Sequence, residues 1–256
     1  MGDFEWSILW PAFAAGLLIA ATHVPLGTQV LDRGIVFIDL AIAQIAGLGV
    51  VFATFIGLEP QGWAVQACAL AAALVGALGL TWSDRRWPEV QEAMIGVTFI
   101  LAASGALLLL AKNPHGGEHL RELLVGQILW VQPSMLPLVA IVYALLLAYI
   151  VRRGLKAGHV GFYVSFAVAV TISVQLVGLY LVFTTLIVPA LATRRMKRLR
   201  LAAAYALSAG GYGIGLVVSS VTDLPSGPAI VWVMAALAVP VFAFSARPDS
   251  LEARRG

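Results

Sequence analysis

The sequence predicts an all-α fold: a polytopic helical membrane protein of about nine transmembrane helices, N-terminus outside and C-terminus inside. Three observations predict it. First, 61% of the 256 residues are hydrophobic and only 11% are charged, where a soluble domain carries about 25% charged residues. Second, apolar runs near the ~20 residues needed to cross a bilayer tile almost the whole chain. Third, the Lys and Arg residues alternate between loops in the way that cytoplasmic enrichment produces. Together they give one transmembrane domain over residues 1–246 and a short polar cytoplasmic tail over 247–256.

The spans read at about 7–30, 35–57, 62–82, 92–111, 134–151, 160–176, 178–193, 200–220 and 228–245. Most breaks carry turn or charge signals: Asp32-Arg33-Gly34, Glu59-Pro60-Gln61-Gly62, Ser83 to Glu92, Lys112 to Gln132 and Arg152 to Gly158. The run from Val160 to Ala192 is long for one crossing and short for two. It reads as two short helices split near Gly178, or as one crossing plus a broken helix, which would leave eight spans. Charge decides between them. With two crossings and the N-terminus outside, 14 of the 16 basic residues fall inside, and only Lys112 and Arg121 fall outside. Merging the run would move the Arg194 cluster outside. Trp6, Trp10, Trp63, Trp82, Trp87 and Trp130 fall near span ends, as interfacial anchors do.

Other classes are narrowed by what is missing. Cys68 is the single cysteine, so neither an intrachain disulfide nor a cysteine metal cluster forms. It reads as a small residue of an apolar run. The acidic start at Asp3 and Glu5 lacks the positive region of a cleaved signal peptide, so the first span is expected to be retained. No Gly-x-x-x-x-Gly-Lys-Ser/Thr loop occurs, so any ATP hydrolysis belongs to another chain, and no catalytic set or resident cofactor is expected. Nothing points to nucleic acid.

Four features carry chemistry. Asp39 lies part-way along the second span, where a carboxylate is costly unless it meets a partner, water or an ion. The alternatives are an interfacial Asp paired with Arg33 and a helix cap. Gln44 and Gln175 offer carbonyl oxygens within spans, for an ion path or as interhelical polar contacts. His115, Glu118 and His119 formally match a His-x-x-Glu-His zinc-hydrolase pattern. Gly116 and Gly117 after Pro114 argue against the helix which that motif needs. The cluster reads better as an outer loop that binds or guides a divalent cation, or as a plain solvated loop. Thr193, Arg194, Arg195, Lys197, Arg198 and Arg200 form a basic segment between two spans, either a topology signal or a docking element. His23 reads as a packed or hydrogen-bonded residue, and His159 as interfacial.

These residues resemble the permease subunit of the ABC transporters that import zinc, manganese or iron. Four stretches carry the resemblance: Pro25-Leu26-Gly27-Thr28 to Asp39 with the Ala/Gly-rich run after it; residues 124–131, Leu-Val-Gly-Gln-Ile-Leu-Trp-Val; residues 176–195; and residues 223–231, Asp-Leu-Pro-Ser-Gly-Pro-Ala-Ile-Val. The resemblance implies a homodimer in a bacterial cytoplasmic membrane, two cytoplasmic ATP-binding subunits and an external metal-binding protein. It implies that Asp39 lines the ion path and that Thr193 to Arg200 couples to the ATPase. The transported ion would be zinc, or manganese or iron. Two positions depart from the family pattern. The His expected four residues after the span-two Asp is Ala43, and the loop from Arg152 to Gly158 is short. His115, Glu118 and His119 would then supply part of the missing ligand set. Two other readings remain at this point: an ion-coupled secondary transporter, and a membrane metalloprotease built on His115, Glu118 and His119.

Overall fold

The computed structural model describes residues 6–59, 62–110, 126, 128–153, 159–196 and 199–245. Among these residues the fold is all helix, without strands. The α-helices are α1 (Trp6–Arg33), α2 (Ile38–Phe55), α3 (Trp63–Arg86), α4 (Gln91–Leu110), α5 (Leu136–Arg153), α6 (His159–Val177), α7 (Leu179–Thr193), α8 (Arg200–Thr222) and α9 (Ser226–Ser245). Short 3-10 turns lie at Pro88–Val90, Ile128–Trp130 and Pro133–Met135. One apolar cluster draws side chains from each of these α-helices, among them Ile19, Ile42, Ala77, Ile95, Tyr143, Phe166, Leu186, Tyr212 and Met234. The tail over 247–256 lies outside the described residues.

The span positions follow hydropathy closely, with two shifts. α3 runs on through Ser83, Asp84, Arg85 and Arg86, which the sequence reading assigned to a break. Nothing in those residues stops a helix; Pro88 does. α2 starts only at Ile38, because Gly34 at φ +72 ends α1 and Ile35 to Phe37 form a turn. The apolar character of Ile35, Val36 and Phe37 conceals that turn.

Among the described residues, eight helices are long and apolar enough to cross a membrane. The other is α7, whose 15 residues rise only about 22 Å at 1.5 Å each, against roughly 30 Å of hydrocarbon. Its start is fixed by Gly178, at φ 84 and ψ 161, a region essentially restricted to glycine. Two contacts locate this junction. Ser173 on α6 meets His23 of α1, and Leu186 on α7 lies against Gly27 of α1. Gly178 is five residues beyond the first and eight before the second. Both registers therefore set it level with Leu18–Ile19, midway along α1. α6 and α7 thus form a recessed hairpin, and Arg194 and Arg195 return to the end of the bundle that carries Arg33. Gly126, at φ +70, closes over the junction, with its backbone against Val177 and Gly178.

Close crossings depend on small residues, since lipid gives apolar helices no drive to associate and van der Waals packing must supply it. Gly27 leaves no room for a Cβ beside the Leu186 carbonyl. Gly211 and Gly215, one turn apart on α8, receive Met234 and Ile230 of α9, whose Cβ and Cα would stand 2.9 Å and 2.6 Å from an added Cβ. Gly49 of α2 meets the Cys68 carbonyl of α3 in the same way. Proline is handled by a neighbour. Pro25 lacks the N–H that would bond Ala21, and the Tyr205 hydroxyl of α8 donates to that carbonyl at 3.1 Å.

Candidate functional site

Asp39 occupies the first turn of α2, so it stands at the entrance of that helix rather than part-way along it. Its residue is fully buried at 0% exposure, and neither carboxylate oxygen has a hydrogen-bond partner among the described residues. The cost of burying an unpaired carboxylate is large. The free N–H groups and dipole of the α2 N-terminus offset part of it. A proton, water or a cation reaching the carboxylate would offset the rest. Arg33 does not fill that role. Its guanidinium lies 4.3 Å from the Phe162 ring centroid of α6, in a cation–π contact.

The structure does not gather the other predicted oxygens around Asp39. Five residues of helix turn Gln44 about 140° from it, and Gln44 is half-buried on another face. Gln175, also half-buried, is two residues beyond Ser173, level with the middle of α1. Asp39 lies just past the last turn of α1, roughly 15 Å or more away along the bundle. His115, Glu118 and His119 lie outside the described residues. Thr193 is buried, and its hydroxyl donates to the Pro189 carbonyl at 2.8 Å, closing the end of α7. Arg194 and Arg195 are exposed, with Arg195 over the Phe242 ring of α9. Lys197 and Arg198 lie outside the described residues.

Three arrangements near these residues were not readable from the sequence. Glu92 of α4 accepts a hydrogen bond from the Phe37 N–H at 3.4 Å, at the residue that precedes α2, and its other oxygen is buried and unpartnered. Gln91 is buried and clamps three helices. Its Nε2 donates to the Leu80 carbonyl of α3 at 3.0 Å and to the Tyr163 hydroxyl of α6 at 2.9 Å, while its Oε1 accepts from Ser83 at 2.6 Å. His23 is buried with both ring nitrogens engaged. Nδ1 lies 3.0 Å from the Ile19 carbonyl, so it carries the proton, and Nε2 lies 3.1 Å from the Ser173 hydroxyl. The packed, hydrogen-bonded reading of His23 therefore holds. Each of these needs residues brought together from separate helices, which a linear pattern does not reveal.

Among the described residues, the chain is a helical bundle with close glycine crossings and a fully buried carboxylate, Asp39, whose oxygens have no hydrogen-bond partner. The model of the ABC 3 transport family matches residues 5–157 and 153–245, and the chain belongs to that family. The resemblance seen in the four sequence stretches is thereby borne out, and the metalloprotease reading falls. A relative in Thermotoga maritima, named "Probable metal transport system membrane protein", is 25% identical over 264 residues, covering 94% of this chain and 91% of the relative. An uncharacterized membrane protein of Synechocystis sp. is 24% identical over 251 residues, covering 90% and 88%. Among solved structures, PsaBC from Streptococcus pneumoniae in complex with Fab superposes with a TM-score of 0.78 at 18% identity, covering 98% of this chain and 96% of that one. An inward-facing structure described as a metal-chelate type ABC transporter gives 0.67 at 14% identity, covering 92% and 84%. These two likenesses speak for the fold.

Proposed function

We propose that this chain is the membrane-spanning permease of an ABC importer that moves a divalent transition-metal cation into the cytoplasm. Zinc is the favoured cargo, with manganese and iron as alternatives. The observation that carries the proposal is Asp39, a fully buried carboxylate with two unpaired oxygens. A cation shedding its hydration is the partner such a group lacks. Hard or borderline divalent ions accept carboxylate oxygen. The named relative in Thermotoga maritima adds support for metal as the cargo.

In this reading the Arg33 end of the bundle faces the cytoplasm. Arg33, Arg85, Arg86, Arg152, Arg194, Arg195 and Arg200 all fall there, as cytoplasmic enrichment of basic residues requires. Asp39 then sits at the inner end of the path, in a bacterial cytoplasmic membrane. An external metal-binding protein delivers the ion to the outer face. A second copy of the permease completes the path, and Gln44 and Gln175 contribute oxygens along it. His115, Glu118 and His119 act at the outer mouth. Two cytoplasmic ATP-binding subunits press on Thr193, Arg194, Arg195, Lys197 and Arg198 to alternate access. The chain supplies the path and the moving helices, and no covalent chemistry.

Purification from the native membrane tests the assembly. An ATP-binding subunit should accompany the chain, and the complex in proteoliposomes should take up radiolabelled zinc only when ATP is enclosed with that subunit. Competition by unlabelled manganese and iron ranks the cargo. Uptake driven by a proton or sodium gradient, with no ATP-binding subunit present, would overturn the proposal in favour of a secondary transporter.

A further inference from the structure

The end of α1 sits between two groups of helices. On one side, Arg33 stacks on Phe162 of α6. Gln91 ties α3, α4 and α6 together, and Glu92 holds the turn before α2. On the other side, α7, the 194–196 segment and α8 pack with α9, and Arg195 lies over Phe242. α1 packs along α7 and α8 of this second group, and at its end Asp32, the residue before Arg33, meets Arg200 with 3.4 Å between Oδ1 and the guanidinium.

The placement of this pair is unusual in its electrostatics. Asp32 is a carboxylate at the C-terminal end of α1, and Arg200 is a cation at the first position of α8. Each charge stands at the unfavourable pole of its own helix dipole. Each is therefore compensated by the other rather than by its helix. Arg200 is 25% exposed and Asp32 64% exposed, so water can replace the contact and the pair can open. Leu199, before Arg200, is held at φ 58, a region a bulky residue seldom adopts. The start of α8 is thus fixed against its local preference. On the other flank, the chain runs from Asp32 through Gly34, at φ +72, and one short turn to Asp39.

We propose that the Asp32–Arg200 pair is a coupling latch. It links the basic segment before α8 to the turn that carries Asp39, so that displacement of that segment is passed to the buried carboxylate. Asp32 and Arg200 are positioning residues that act through Asp39 and do not touch the cation. The proposal rests on the reading of the chain as an ATP-driven permease.

The test measures zinc uptake and ATP hydrolysis in the same proteoliposomes of the whole complex. Asp32→Asn and Arg200→Gln should each lower the cations moved per ATP by about two- to fivefold, the range an exposed ion pair supports. Arg200→Lys should keep the wild-type ratio. The double exchange Asp32→Arg with Arg200→Asp should restore it, because both charges then also suit their helix dipoles. An unchanged ratio in the single variants overturns the latch, as does failure of the double exchange to rescue. Absence of ATP-driven uptake in the wild-type complex would instead overturn the permease reading itself.

Discussion

At Gly27 the side chain is a single hydrogen because α1 crosses directly over the α7 backbone. An added Cβ would meet the Leu186 carbonyl, which is main chain and cannot rotate aside. Gly79 has nothing within 4 Å of an added Cβ. Gly27→Ala should therefore lower the detergent unfolding midpoint, by the equivalent of about 1–3 kcal/mol. Gly79→Ala should hold or raise it, since alanine favours helix by about 1 kcal/mol. Thermal unfolding of both variants checks the pair; equal losses would contradict the crossing. Single residues were unevenly legible in the sequence. Asp39 stood out because a carboxylate among Ile, Leu and Ala has few bland explanations. That the residue is fully buried with its two oxygens unpaired is visible only in the fold. The Gln91 clamp was invisible, because Ser83 and Tyr163 are its neighbours only in space.

Among the elements, the α6–α7 hairpin departs most from a regular span. Hydropathy separates it poorly, since 160–192 is apolar throughout. The sequence clue was the Arg194 cluster, which joins the other basic loops at one end of the bundle only if the run turns back on itself. What charge counting could not give is the depth of Gly178, which follows from the Ser173–His23 and Leu186–Gly27 contacts together. Gly178→Ala should cost about 1–3 kcal/mol, because its φ and ψ suit glycine alone. Unfolding of this variant in detergent measures that cost. Wild-type stability would mean that the two helices join in a more ordinary conformation. The late start of α2 is the complementary lesson. Ile35, Val36 and Phe37 have helical hydropathy but follow a left-handed Gly34, so composition placed Asp39 deeper in a helix than it is.

For the whole molecule, the fold was legible to within a few residues at each span, because the bilayer imposes length and polarity on every crossing. The site was legible only in part. Gln44 and Gln175 were chosen as polar residues in apolar runs, and the bundle separates both from Asp39. Each half of the molecule has its own task in the resulting account. The α2–α6 side holds Asp39 and is braced by Gln91 and by Arg33 of α1 stacked on Phe162. The α7–α9 side carries the basic segment that a cytoplasmic motor would address. The central claim is that Asp39 meets the transported cation. Asp39→Asn keeps the shape and removes the charge. Losing one partner of a buried charge contact costs about 2 kcal/mol or more, roughly thirtyfold. ATP-driven uptake of radiolabelled zinc by the Asp39→Asn complex, at limiting metal and with wild-type amounts of permease and ATP-binding subunit, is the direct measurement. The account predicts a fall of about thirtyfold or more; uptake equal to wild type would contradict it.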